Sequence, residues 1–96
     1  MRYYALFYWF VGDYLERRPA FREEHLGMAQ AAQARGDMVL AGAFSDPADS
    51  ALLVWRTASR TPIEAFVQAD PYVRNGLVTR WEIREWTVVI GNEPAA

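Results

Sequence analysis

The chain has no cysteine and a single histidine. Without thiols there is no disulfide and no thiolate nucleophile, most structural zinc sites are excluded, and one imidazole is left as the sole nitrogen ligand. The sequence therefore calls for no metal and no cofactor. It also lacks any basic run, and with a net charge of −2 it has no footprint for gripping a phosphate backbone. Nucleic acid is excluded as a main partner. The longest apolar run, Tyr3 to Val11, is far too short to span a bilayer as a helix, so no membrane partner is expected. That run has no small-residue cleavage site either, so it is read as a buried strand rather than a signal peptide. The cysteine-free composition fits a cytoplasmic protein.

What is present is apolar surface. Ninety-six residues, read as one domain over 1–96, are 52% hydrophobic and 15% aromatic with only 23% charged, more large apolar groups than a small monomer easily hides. A homodimer, with room for a higher oligomer, is the expected partner state.

Arg2 to Val11 is β-favouring throughout, with Tyr4, Leu6, Tyr8 and Phe10 on one face and Tyr3, Ala5, Phe7 and Trp9 on the other. Apolar residues on both faces imply helices on one side and a second copy on the other. Tyr14 to Arg18 reads as a connection, and Pro19 suits the first turn of a helix running to about Arg35. On that helix Phe21, His25, Met28, Ala29 and Ala32 share one stripe, and Gly36 fits the left-handed position after it.

Met38 to Phe44 and Ala51 to Thr57 make a hairpin around the turn Ser45 to Ser50. Thr61-Pro62-Ile63-Glu64 has the form of a capping box, with Thr61 at the N-cap. From it Ile63, Phe66, Val67 and Asp70 fall on one stripe, so the carboxylate inherits the inward direction of three hydrophobes before Pro71 stops the helix. Asn75-Gly76 ends a further helical turn, and Thr79 to Ile90 is the last strand, before a fraying tail.

The order βαββαβ with right-handed crossovers defines an α+β, ferredoxin-like fold: an antiparallel sheet with two antiparallel helices on one face. The end of the second helix then lies beside the first half of the first. His25 and Asp70, 45 positions apart, are predicted to meet there. The aromatic sheet face would pack on a twofold mate, giving a dimeric α+β barrel.

Each member of the pair has two readings. His25 is either a core histidine bonded to a backbone carbonyl or a base oriented by a carboxylate. Asp70 either bonds nearby backbone N–H groups at a helix end or orients that imidazole. Ser45 is read as a donor to bound substrate or as a plain turn residue, and no nucleophile elbow surrounds it. Arg18 and Arg22 sit near a helix N-terminus, where the dipole disfavours cations, so a solvated basic face is the default reading and an anionic ligand or an acidic neighbour the compensating one. Tyr72, Tyr8 and Trp9 are candidates for an aromatic pocket, for core or for a dimer interface.

Three segments carry a family likeness: Tyr14 to Leu26, with His25-Leu26; Gly36 to Ala43, with Ala41-Gly42; and Ala69 to Leu77, with Asp70-Pro71-Tyr72. Together they resemble the YciI-like (YCII-related) family over nearly the whole chain. The resemblance implies a ferredoxin-like dimer with an active site on a His–Asp pair, here His25 and Asp70. It also implies kinship to dehydrochlorinases acting on chlorinated hydroxyquinols and a fold similar to muconolactone isomerases. Many members carry a proline after the Ala-Gly pair where this chain has Ala43-Phe44, so the pocket wall beside Ser45 differs.

The reading favoured by residues and resemblance is cofactor-independent general acid–base chemistry, by elimination or lactone isomerisation, on a small cyclic or aromatic-derived substrate. His25 and Asp70 are the catalytic candidates, and Ser45, Arg22 and Tyr72 the substrate-binding ones. Two alternatives differ in class: a non-catalytic dimer that binds a small ligand, and a haem-handling barrel with the lone histidine as axial ligand.

Overall fold

The computed structural model describes residues 1–91. Four strands form one antiparallel sheet: β1 (Arg2–Phe10), β2 (Met38–Ala43), β3 (Ser50–Thr57) and β4 (Val78–Trp86), in the order β2-β3-β1-β4. The helical segments are α1 (Tyr14–Arg17), a 3-10 turn (Arg18–Ala20), α2 (Arg22–Ala34), α3 (Thr61–Ala69) and α4 (Pro71–Arg74). This is the ferredoxin-like α+β topology, with β1 and β3 central, β2 and β3 joined as a hairpin, and helical crossovers connecting β1 to β2 and β3 to β4.

The period of two in β1 sorts the core. Tyr4, Leu6 and Tyr8 stand opposite Trp55, Leu53 and Ala51 of β3, and Ile83 of β4 faces Leu6. All are buried and share one cluster with Ala32, Ile63, Phe66, Val67 and Tyr72 from the helical layer. Leu6, Ile63 and Val67 are fully enclosed, each contributing about 1.5–3 kcal/mol of transfer free energy. The other face carries Ala5, Phe7, Leu52 and Val54, none of them part of the helix-covered cluster.

Local boundaries follow sequence in part. Gly36 adopts φ +85°, and Gly36 N–H and Asp37 N–H donate to the Gln33 and Ala32 carbonyls, closing α2 as a Schellman motif. Pro19 does not open α2. It lies in the 3-10 turn, and α2 starts only after Phe21, whose φ of −121° interrupts the helix.

The capping box does not form. Arg60, already in helical conformation, takes the N-cap position, its carbonyl accepts from the N–H groups of Ile63 and Glu64, and no side chain caps the helix. The cause lies one turn earlier: Thr57 Oγ1 donates to the Ser59 carbonyl at 2.7 Å and Thr61 N–H reaches Ser59 Oγ at 3.4 Å, which starts the helix a residue early. The last strand stops at Trp86 instead of Ile90, because Trp86 already pairs with Tyr3, one residue from where β1 begins. No helix among the described residues is long and apolar enough to cross a membrane.

Candidate active site

Pro71 keeps the residue before it out of helical conformation, so Asp70 adopts φ −66° and ψ 123° and ends α3. The same extended residue starts α4 as its N-cap, with Oδ1 accepting the Tyr72 N–H at 3.0 Å. The stripe of α3 carries the side chain inward, where it is 0% exposed. A carboxylate in that position is costly unless its lone pairs are filled.

They are filled by three donors. His25 approaches through Nδ1, 2.9 Å from Oδ1 and 3.1 Å from Oδ2, and the Tyr8 hydroxyl donates to Oδ2 at 2.8 Å. With Tyr72 N–H, the carboxylate acts only as an acceptor, as its ionised form must. That arrangement places the ring proton on Nδ1 and leaves the lone pair on Nε2, which has no hydrogen-bond partner among the described residues. Both sequence readings of Asp70 therefore hold at once, since it bonds a backbone N–H and meets the imidazole.

The ring is clamped as well as bonded. It stacks on Tyr72 with centroids 3.9 Å apart and an interplanar angle of 8°, and the edge of Phe66 lies at 6.4 Å. Tyr72 is itself packed edge-on against Tyr14 at 5.9 Å. Burial, and less strongly the neighbouring Tyr14 and Asp70, push the Tyr72 hydroxyl up to about 12 against the opposing influence of Arg22 and Arg18. Burial first, then the Asp70 charge and the hydrogen bond to it, hold the Tyr8 hydroxyl far above the usual phenol range. Both phenols stay protonated donors at any ordinary pH.

His25 lines a cleft of about 590 Å³ between α2 and the β2 edge of the sheet. Arg18, Arg22, Tyr8 and Tyr72 line it too, and Gly42 borders it with open space where a Cβ would stand. Ser45 does not. The β2–β3 ladder ends at Ala43 opposite Ala51, so Ser45 lies in the exposed loop beyond the last pair, outside the cleft lining. Trp9 points to the other sheet face, with Arg80 above its ring at 4.3 Å. Tyr8 was legible as an inward aromatic, but its hydroxyl's bond to a carboxylate 62 residues away carries no local signal.

Fold and site together define a ferredoxin-like α+β domain with a His–Asp pair set into the wall of a cleft. The YCII-related domain family matches residues 1–87, and the chain belongs to that family. No curated protein matches the chain. Among solved structures it is similar to 5-chloro-2-hydroxyhydroquinone dehydrochlorinase (TftG) from Burkholderia phenoliruptrix, in complex with 2,5-dihydroxybenzoquinone. The TM-score is 0.75 at 16% identity, covering 88% of this chain and 93% of that one. A NIPSNAP family protein from Agrobacterium tumefaciens aligns with TM-score 0.58 at 16% identity over 98% and 97% of the two chains. A proposed antibiotic biosynthesis monooxygenase from Deinococcus radiodurans aligns with TM-score 0.57 at 13% identity over all of both chains. At these identities the likeness is one of fold.

Proposed function

We propose that this chain is a cofactor-independent enzyme in which His25 is the general base and acid, Asp70 fixes its tautomer, and Arg22 and Tyr72 bind a small cyclic or aromatic-derived substrate. The observation that carries the reading is the 2.9 Å contact between Nδ1 of His25 and a carboxylate already held by two other donors. An imidazole so oriented offers Nε2 to the cleft as a base, and Asp70 stabilises the imidazolium that forms. In an elimination the proton passes to Nε2, its electron pair becomes the new double bond, and chloride leaves with the electrons of the C–Cl bond. In a lactone isomerisation the same nitrogen returns the proton to another carbon. Tyr8 positions Asp70 through its hydroxyl and also lines the cleft.

The relation to the dehydrochlorinase fold makes chlorinated hydroxyquinols the first substrates to try, followed by small lactones. Release of chloride by the wild type and its loss by at least about a hundredfold in His25→Ala is the expected result. Full-rate turnover by His25→Ala sinks the reading.

The second copy belongs to the same proposal. Ala5, Phe7, Leu52 and Trp86, together with the charged Arg84 and Glu85, line a mostly apolar groove on the sheet face that no helix covers. On that face the cross-strand neighbours Tyr3 and Arg56 leave the buried Oη and Nε without partners among the described residues. Apolar area and unfilled donors together suit a twofold mate.

The alternative is a non-catalytic dimer that binds a small ligand, favoured by the aromatic lining of the cleft. It predicts affinity unaffected by His25→Gln, and a loss of affinity counts against it.

A further inference from the structure

The cleft has a charge pattern that the chain as a whole does not. Overall the chain is acidic, at −2. Yet no aspartate or glutamate lines the cleft, while Arg18 and Arg22 both do. Asp70 lies behind His25 and Tyr8, fully buried, with its oxygens committed to three donors. Neither arginine has a carboxylate within ion-pair range among the described residues, although Arg17 beside them pairs with Asp13 and Arg74 reaches Glu24. Two cations left without a counter-charge in one concavity focus a positive potential there.

Their placement puts the charge beside the imidazole. Arg22 and His25 are three residues apart on α2, on neighbouring positions of one helix face, and both line the cleft. Arg18 sits one turn further out, its guanidinium 5.3 Å from the centroid of the Tyr14 ring. A ligand in the cleft can meet the guanidiniums with one end and the imidazole with the other. The aromatic wall offers a flat surface for it: Tyr72 is stacked on His25, and Phe10 on Tyr14 at 3.7 Å. The Tyr72 hydroxyl, held protonated, adds a neutral donor beside the two guanidiniums.

We infer that the cleft takes a single-ring planar ligand bearing an anionic oxygen, a carboxylate or phenolate, with Arg18 and Arg22 gripping the anion and the ring lying toward His25. This inference rests on the reading of the cleft as the functional site but not on the chemistry assigned to His25. Arg18, read from sequence only as one of two cations near a helix N-terminus, becomes a specificity residue with Arg22, since guanidinium forks match carboxylate geometry.

Benzoate and benzamide have one shape and differ in charge, so they serve as the probe pair, titrated into the full-length protein and followed by ¹H–¹⁵N spectra. Benzoate is expected to bind at least about tenfold more tightly than benzamide at low salt, shifting the Tyr72 and His25 resonances and weakening severalfold as salt is raised. Arg18→Gln/Arg22→Gln should remove that preference, bringing benzoate affinity down to that of benzamide. His25→Ala should retain benzoate binding, which separates this inference from the acid–base reading: loss of turnover in that variant and loss of anion preference in the arginine pair are independent results. Equal affinity for the two probes, no binding of either, or benzoate binding that survives the double substitution overturns it. Because the first comparison uses the wild type alone, a variant that fails to fold does not shield the inference.

Discussion

Replacing Asp70 by Asn tests the core of the mechanism with almost no change in shape. Asn keeps one acceptor oxygen, enough for the Tyr72 N–H, and puts an NH₂ where Oδ2 now accepts from Tyr8. The Tyr8 hydroxyl can turn and accept instead. The imidazole, now bridging Oδ1 at 2.9 Å and Oδ2 at 3.1 Å, would then face the new amide N–H as well as an oxygen already accepting from Tyr72. With an amide N–H beside Nδ1, that nitrogen becomes the acceptor and the ring proton moves to Nε2, the atom meant to act as base. Loss of the correct tautomer is expected to cost about 10²–10⁴ in rate. Two charge-assisted bonds weaken together in a fully buried site, so stability should fall by about 2–4 kcal/mol. For a domain of this size that is a drop in Tm of roughly 10–25 °C, with a fold that survives at room temperature. Long-range ¹H–¹⁵N correlation spectra of His25 read the tautomer without any substrate. Wild type should show a protonated Nδ1 and a bare Nε2, and Asp70→Asn the reverse. A wild-type spectrum with the proton on Nε2, or a variant whose spectrum and turnover match wild type, refutes the reasoning.

Tyr8→Phe removes one donor from the buried carboxylate and should cost about 1–3 kcal/mol in urea unfolding, with a smaller rate loss than Asp70→Asn because the imidazole contact remains. An unchanged midpoint would show that the hydroxyl does not support Asp70. At alkaline pH the folded state holds the Tyr72 proton up to about 12, while the unfolded chain releases it near the ordinary phenol value of 10.0. The folded state thus binds more protons in that window. The stability Tyr72 contributes is complete below about pH 10 and is lost as pH rises toward 12, with Tyr8 acting in the same direction. Tyrosinate absorbance of the native protein should therefore show two late-titrating phenols, and titration of every tyrosine near 10 contradicts this. Leu52→Glu, on the uncovered sheet face, should leave the fold intact and dissociate the proposed dimer in sedimentation velocity. A wild type that sediments as a monomer at micromolar concentration disposes of the second copy.

The periodic parts of this architecture were readable from residues. His25 on its helix stripe and Asp70 on the other needed only a 3.6-residue period and the βαββαβ order to be brought together across 45 positions. Gly36 was readable for the same local reason, since few other residues accept its backbone angles. What escaped depends on contacts between distant segments. The end of β4 is set by where β1 runs out, and Ser45 falls outside the cleft because the hairpin ladder ends at Ala43. The start of α3 was misread because the Thr57–Ser59 turn competes with the capping signal at Thr61. Tyr8 was visible as an apolar inward residue, and only the packed helices turn its hydroxyl into a partner for Asp70.

Asp70 closes one helix with its backbone, and with two oxygen atoms it caps the next and steers an imidazole. On the proposed mechanism, selection on folding and selection on reactivity act on the same side chain, and neither can drift alone. A lineage that gave up turnover would still be pressed to keep this carboxylate for its architecture. Redesign of the reaction should begin at the rim of the cleft, where Leu40 and Arg22 are exposed and a change leaves the chain's path untouched.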